Sequence, residues 1–175
     1  MPSKKHYIIT AITLGAIAAT SGLLIGAANL ITRDQIKKNE IKKFNEGIAA
    51  IFGEGAYTAD FNPKIENDQY LVSSYHVHNN DDSLHGWAVV ASGSNMYGKI
   101  SLIAGFDYDT KAFKGIYVTK NEQTYASTLV ENYINPLNKG EVQLDDVSCG
   151  ATYGAKLVRD LVNASQSYVN GIIYD

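Results

Sequence analysis

Cysteine is almost absent from this sequence, since Cys149 is the only one among 175 residues. A single cysteine excludes a disulfide within the chain and any zinc site that needs several thiolates. A basic excess is also absent, because 15 Lys and Arg stand against 18 Asp and Glu for a net charge of −3. We therefore expect no nucleic-acid partner, since such a partner usually needs a basic surface.

Charge is missing altogether from residues 7–32, an apolar run of 26 residues. About 20 apolar residues suffice for a helix that crosses a bilayer, so we predict an N-terminal transmembrane anchor in residues 1–32. A cleaved signal peptide is the alternative, because Lys4 and Lys5 precede the run and residues 16–18 resemble a cleavage box. The run continues well past Ala18, which favours an uncleaved anchor.

The orientation of this span follows from the basic residues on either side of it. Two lysines precede the span, whereas five basic residues follow it: Arg33, Lys37, Lys38, Lys42 and Lys43. By the positive-inside rule, this asymmetry would place the C-terminal side in the cytoplasm. The rule often fails for long translocated domains, so the orientation stays open at this point.

Residues 33–55 are charged but keep a helical period, with Ile41, Phe44 and Ile48 at three- and four-residue spacing. We predict an amphipathic helical stalk that ends at the glycines of residues 53–55.

Residues 56–175 alternate between strand signals and turn signals. Strands are predicted at 69–77, 86–91, 99–106 and 113–119, with polar turns at 79–83, 93–95 and 107–110. A short helix at 129–137, ended by Pro136, and a last helix at 153–169 follow. The fold class is therefore α+β, with a curved antiparallel sheet packed with helices.

The stretch 146–152 (DVSCGAT) immediately precedes the last helix, with Thr152 near its N-cap. A helix start offers unpaired backbone N–H groups and a positive dipole end, which favour a phosphate. Gly150 and Ala151 are small enough for a ligand to approach the backbone. The alternative interpretation is an ordinary turn in which Thr152 caps the helix.

Four residues at this spacing, Asp146, Gly150, Ala151 and Thr152, match a known motif. They resemble Asp-x-x-Ser/Thr-Gly-Ala-Thr, the flavinylation motif of the FMN-binding domain family. That family includes the G subunit of Rnf electron-transport complexes and the C subunit of sodium-pumping NADH:quinone oxidoreductases. The layout is similar too, with a membrane helix, a charged stalk, a sheet-rich domain and a C-terminal helix.

This resemblance implies that residues 56–175 form an FMN-binding domain with FMN covalently attached through its phosphate to Thr152. Ser148, Cys149, Gly150 and Ala151 would shape the phosphate site. Asp146 would order the loop or be recognised by the flavin transferase that attaches the cofactor.

The resemblance also implies a place in the cell. The chain would be a single-pass protein of the bacterial plasma membrane with an extracytoplasmic C-terminal domain, contrary to the charge count. It would relay electrons among other membrane subunits of an ion-translocating, Rnf-type ferredoxin:NAD oxidoreductase. No acid–base or nucleophilic set in the sequence predicts an independent catalytic site.

The chain departs from the family pattern at three places, one of which is Tyr153 and Gly154 in place of the Thr or Ser often found after the motif. Cys149 stands where Ser or Thr is usual, and residues 122–127 (EQTYAS) stand where a Glu-Thr-Pro-Gly-Leu-Gly-like loop is usual. Two alternatives therefore stay open: a stand-alone anchored flavoprotein of extracellular electron transfer, and a structural subunit that has lost the flavin.

Two smaller hypotheses concern nucleophilic and metal-binding side chains. Cys149 is either a substitute for Ser or a reactive thiol activated by the helix start. His76, His78 and His85 are close in sequence, but further metal ligands are not evident. We predict surface histidines and no metal site.

Overall fold

The computed structural model describes residues 4–58, 65 and 68–172. The helices and strands of these residues are those of an α+β protein. Helix α1 (Lys4–Phe52) is followed by strands β1 (Leu71–His78), β2 (Leu84–Asn95), β3 (Gly98–Asp107) and β4 (Phe113–Asn121). Helices α2 (Ala126–Leu129) and α3 (Asn135–Asn138) flank a π-helical turn at Val130–Ile134, and helix α4 (Thr152–Gly171) comes last. The predicted α+β class is confirmed.

The chain divides into two compact units, Met1–Lys42 and Lys43–Asp175, so the division falls within α1. In the first unit, Tyr7–Ala27 is a helical segment of 21 residues, long and apolar enough to cross a membrane. Its large side chains are exposed, as Leu23 at 75% and Ile25 at 71% illustrate. The segment is therefore either a single membrane span or a signal sequence.

The four strands of the second unit form one open antiparallel sheet in the order β1-β2-β3-β4. Every neighbouring pair is also consecutive in the chain, which confirms the predicted meander. In the register of the sheet, Trp87 on β2 lies opposite His76 on β1 and Phe106 on β3. Because side chains alternate along a strand, each strand contributes to both faces of the sheet.

One face of the sheet packs against α4 and the helical stretch 126–138. The alternating residues of β3 that were predicted to share a face, Ile100, Leu102, Ala104 and Phe106, are all completely buried. Helix α4 presents to this cluster an apolar stripe at helical spacing, formed by Leu157, Val158, Leu161, Val162 and Val169.

The other face of the sheet is covered by the last part of α1, residues 43–52. Ile48 and Phe52 form a second buried cluster with Val77, Ala88 and Ile103 of the sheet. The helical period predicted for the stalk therefore serves, from Phe44 onward, to pack a helix against the sheet. This part of the predicted stalk belongs to the second compact unit.

Glycines make the close packing on this second face possible. A Cβ atom on Gly105 would collide with Ile51, and one on Gly86 would collide with the Phe52 ring. On the helix itself, a Cβ atom on Gly47 would lie 2.6 Å from Cδ1 of Ile103. Helix and sheet therefore approach at positions where any larger residue would have to push them apart.

Two sequence-based boundaries are wrong. Residues 93–95, predicted as a turn, instead continue β2 and pair with residues 98–100 of β3, so the hairpin turns at Met96 and Tyr97. The helix also does not end at Pro136, which lies in the first turn of α3. The preceding π-helical turn breaks the regular hydrogen-bond register, and proline is tolerated in a first helical turn.

Candidate functional site

The predicted site residues lie in the loop between α3 and α4 and at the first residue of α4. Asp146 closes a turn in this loop: the backbone N–H of Gln143 donates to Asp146 Oδ2 at 3.1 Å. The backbone N–H of Asp146 in turn donates to the carbonyl of Gln143 at 3.0 Å. These bonds favour the loop-ordering role for Asp146, although its side chain stays exposed.

Ser148 and Cys149 lead towards the helix, the first exposed and the second half-buried. The N–H of Cys149 donates to the Val147 carbonyl at 3.2 Å, and the Cys149 carbonyl accepts from Nδ2 of Asn132 at 3.2 Å. The thiol of Cys149 forms no disulfide. Because both of these bonds use backbone atoms, they are compatible with Cys149 as a substitute for serine.

Gly150 has a left-handed backbone conformation with φ of +82°, which favours glycine. A Cβ atom there would touch only Cγ2 of Thr128, at 3.4 Å. The backbone conformation, rather than a crowded neighbour, therefore favours glycine at this position. Ala151 follows with φ of −122° and is 7% exposed.

Thr152 is the first residue of α4, and the N-cap position before it belongs to Ala151. No side chain caps the helix, so the interpretation of Thr152 as a capping residue is wrong. A capping hydroxyl must come from the residue before the first helical one. Thr152 is half-buried, and its hydroxyl makes no hydrogen bond within the described part of the chain.

The first turn of α4 presents backbone amides that have no acceptor within the helix. Their dipoles make this end of α4 favourable for an anion. Gly154, in the same turn, is pressed against residues 123–129. A Cβ atom on it would lie 2.9 Å from Cδ2 of Leu129 and 3.4 Å from Oε1 of Gln123.

A network of two amide side chains joins the helix start to the β2–β3 hairpin. Gln123, 7% exposed, donates from Nε2 to Asn95 Oδ1 at 3.1 Å and to the Gly98 carbonyl at 2.5 Å. Asn95 donates from Nδ2 to the carbonyl of Tyr153 at 3.0 Å and accepts from the N–H of Tyr97 at 2.9 Å. Sequence reasoning missed both amides, because no local pattern shows that residues 95, 123 and 153 meet.

Three tyrosines surround the helix start. The ring centroid of Tyr97 lies 5.2 Å from that of Tyr153 and 6.4 Å from that of Tyr125. Tyr125 and Tyr153 are each 56% exposed. The rings and Thr152 border one cavity of about 50 Å³, lined by Tyr97, Gln123, Tyr125, Leu129, Gly150, Ala151, Thr152, Tyr153 and Gly154.

No known protein family and no curated protein matches this chain. The resemblance to the FMN-binding domain family therefore rests on residues 146–152 and on the layout of the chain. Both the family and the cofactor stay predictions, and the geometry around Thr152 is what bears on them.

These residues fit the phosphate end of FMN. A free hydroxyl, uncapped helix amides and the left-handed Gly150 come together at Thr152, and these groups suit a phosphoester. A cavity of about 50 Å³ is too small for the flavin ring. Any ring attached here would therefore lie outside the cavity.

The two cations of α4 differ in their availability to a phosphate. Arg159 bonds to the carboxylate of its neighbour Asp160, with Nη2 2.9 Å from Oδ1. Lys156 places Nζ 5.8 Å from the centroid of the Tyr153 ring. Lys156 thus lies beside the tyrosine cluster, whereas the guanidinium of Arg159 is bonded to a carboxylate.

The histidines are packed against aromatic rings. The ring of His76 meets that of Trp87 edge-on at 4.2 Å, and the ring of His78 stacks on Tyr57 at 5.6 Å. Both are half-buried, as is His85 beside the Phe52 ring, so the predicted surface histidines keep part of each side chain exposed while aromatic rings cover the rest. The described residues contain no group of three His, Cys, Asp or Glu placed to hold a metal ion.

A larger cleft of about 440 Å³ lies between α3, α4 and the start of β4, and Lys114 and Asn138 are among its lining residues. None of the residues 146–152 lines it. The amide of Asn138 is already bonded to both the N–H and the carbonyl of Ile116, at 2.8 Å each. This polar group is therefore engaged in holding α3 to β4, and the cleft adds nothing to the site at Thr152.

Proposed function

We propose that this protein is a membrane-anchored electron-transfer subunit that carries FMN as a phosphoester on Thr152. The observation that carries the proposal is the position of Thr152, whose hydroxyl is unbonded at the first residue of α4. It follows the left-handed Gly150 in a sequence that resembles the flavinylation motif. A threonine that only stabilised the helix would stand one position earlier.

The attachment reaction needs an activated phosphate, because a phosphate monoester does not condense with an alcohol in water. The phosphoanhydride of a flavin dinucleotide is such a donor. The Thr152 oxygen would bond to the flavin-side phosphorus, the anhydride bond would break, and the nucleoside monophosphate would leave with the hydroxyl proton. The helix amides would stabilise the negative charge on the phosphate, while a flavin transferase supplies the catalysis.

The bound FMN would supply reversible one- and two-electron chemistry, and the protein would hold the flavin and tune its potential. We propose an Rnf-type, ion-translocating complex as the setting, with the C-terminal domain outside the bacterial plasma membrane. Other membrane subunits would then supply and remove the electrons. The apolar segment Tyr7–Ala27 supports the membrane location.

Removal of the Thr152 hydroxyl tests the proposal. The full chain is co-expressed with a flavin transferase, as wild type and as Thr152→Ala. We expect the wild type to show in-gel flavin fluorescence and a mass gain equal to FMN minus one water. Thr152→Ala should lose both, because the attachment atom is gone.

Thr124→Ala is the matched control, since Thr124 is exposed on the loop beside the same cavity. It should keep the full mass gain. A wild-type chain without flavin would contradict the proposal and favour a structural subunit. Retention of flavin by Thr152→Ala would show that the attachment site is wrong.

A further inference from the structure

We propose that Tyr97, Tyr125 and Tyr153 form the seat of the isoalloxazine ring, an inference that rests on the proposed attachment of FMN to Thr152. The three rings, called here the tyrosine seat, come from three separate parts of the chain. Tyr97 is at the β2–β3 turn, Tyr125 precedes α2, and Tyr153 is the second residue of α4.

The tyrosine seat borders the same cavity as Thr152. A flavin ring is too large for that cavity of about 50 Å³, so a ring tethered to Thr152 would lie outside it, next to the surrounding surface. The surface there is aromatic on two sides, because Tyr125 and Tyr153 remain 56% exposed. A large part of each of these two side chains is thus accessible to a ligand.

The rings of the tyrosine seat pack on one another. Aromatic pairs prefer centroid separations of about 4.5–7 Å in offset or tilted arrangements. The separations of 5.2 Å and 6.4 Å within the tyrosine seat lie in that range, with interplanar angles of 37° and 53°. The three rings therefore form one aromatic cluster beside Thr152, to which a further aromatic ring can add.

Hydrogen bonds to the backbone hold the segments that carry the three tyrosines in place without a ligand. Asn95 holds the N–H of Tyr97 at 2.9 Å and the carbonyl of Tyr153 at 3.0 Å. The N–H of Thr124 donates to the carbonyl of Tyr97 at 3.0 Å, which ties the segment before Tyr125 to the same hairpin. A seat fixed in advance reduces the conformational entropy lost on binding.

The tyrosines are tested by spectroscopy on flavinylated protein. The full chain is prepared as wild type, as single variants Tyr125→Leu and Tyr153→Leu, and as the triple variant with Tyr97→Leu. Tyr57→Leu is the control, since Tyr57 is 38% exposed and packs on His78 outside the tyrosine seat. Flavin occupancy is measured by mass, and fluorescence yield and visible circular dichroism are compared per bound flavin.

Phenol rings in contact with isoalloxazine quench its fluorescence, and a fixed ring gives strong circular dichroism bands. We expect a severalfold rise in fluorescence and weaker dichroism in the triple variant, with smaller changes in each single variant and none in Tyr57→Leu. Tyr125→Phe should keep the dichroism of the wild type, because stacking does not need the hydroxyl, but should lose part of the quenching, because the electron donor is the phenol.

Unchanged fluorescence and dichroism in both single variants, with full mass gain, would overturn the tyrosine seat and leave the proposed function intact. A wild type without any mass gain would overturn the proposed function itself, and the mass spectrum alone would show it. The single variants change exposed side chains, so they keep the proposal testable if the triple variant does not fold.

Discussion

At the scale of single residues, Gly98 allows the backbone of the β2–β3 hairpin to approach closely the loop that carries Gln123. Its backbone φ is +134°, and a Cβ atom would collide with the backbone carbonyl of Glu122. That carbonyl belongs to the segment just before Gln123, whose side chain bonds to Gly98 and Asn95. Gly98 thereby supports the network that positions the tyrosine seat.

Gly98→Ala should destabilise the protein through both backbone strain and this collision. Together, a left-handed backbone and an overpacked contact cost about 3 kcal/mol in the free energy of unfolding. Gly140→Ala is the control, because Gly140 has φ of +71° but nothing within 4 Å of a Cβ atom. It should cost about 1 kcal/mol, the strain alone.

Urea unfolding of both variants in detergent, followed by circular dichroism, measures the difference. Equal losses of unfolding free energy in the two variants would mean that the collision with Glu122 is relieved at no energetic cost. That result would argue against a rigid support for the network.

At the scale of elements, residues 43–52 function as part of the sheet domain. Besides the buried Ile48 and Phe52, polar contacts join this segment to β4. Lys43 Nζ donates to the carbonyl of Thr119 at 3.0 Å, and the phenol Oη of Tyr117 donates to Glu46 Oε2 at 3.3 Å. A four-stranded sheet with one apolar face uncovered would expose Val77, Ala88 and Ile103 to water.

Two isoleucines on α1 allow a direct test of this role. Ile48→Ala should lower the free energy of unfolding by about 2–5 kcal/mol, since it removes a buried side chain from a packed interface. Ile41→Ala changes the same chemical groups on the same helix, but Ile41 is 61% exposed. It should change stability by less than about 0.5 kcal/mol.

Both variants are measured on the full chain in detergent micelles by thermal and urea unfolding. A small loss for Ile48→Ala would show that the sheet does not depend on residues 43–52. A large loss for Ile41→Ala would place the start of the sheet domain earlier in the chain than Lys43.

At the scale of the whole molecule, the basic residues and the proposed function disagree about the side of the membrane. Five basic residues follow the apolar segment and two precede it, which favours a cytoplasmic C-terminal side. The proposed relay requires the opposite orientation. Thiol labelling can test the orientation, because the chain has a single cysteine. Cys149→Ser removes this native thiol and places there a residue that the motif usually contains.

A chain with Cys149→Ser and Glu54→Cys, the latter at an exposed position, provides one accessible thiol in the second unit. A membrane-impermeant maleimide should label it in intact cells as fully as in lysed cells. Labelling only after lysis would place the domain in the cytoplasm and contradict the proposed location. The control chain combines Cys149→Ser with Lys5→Cys in place of Glu54→Cys. Lys5 is exposed and precedes the apolar segment, so its thiol should be labelled only after lysis.

Features that depend on neighbouring residues could be predicted from the amino-acid sequence. The apolar segment near the N-terminus, the β3 alternation from Ile100 to Phe106 and the start of the last helix within one residue of Thr152 all follow from local periodicity. Periodicity works here because each side chain faces the core or the solvent according to the repeat of its own helix or strand.

Contacts between distant residues could not be predicted from the sequence and are known only from the fold. From the sequence, residues 93–95 are predicted as a turn and residues 44–52 as part of a stalk. In the structure, residues 93–95 pair with β3 and residues 44–52 pack against the sheet. Gln123, Asn95 and the tyrosine seat belong to separate segments that the sheet brings together beside Thr152. Such contacts depend on long-range packing, which no single stretch of sequence encodes.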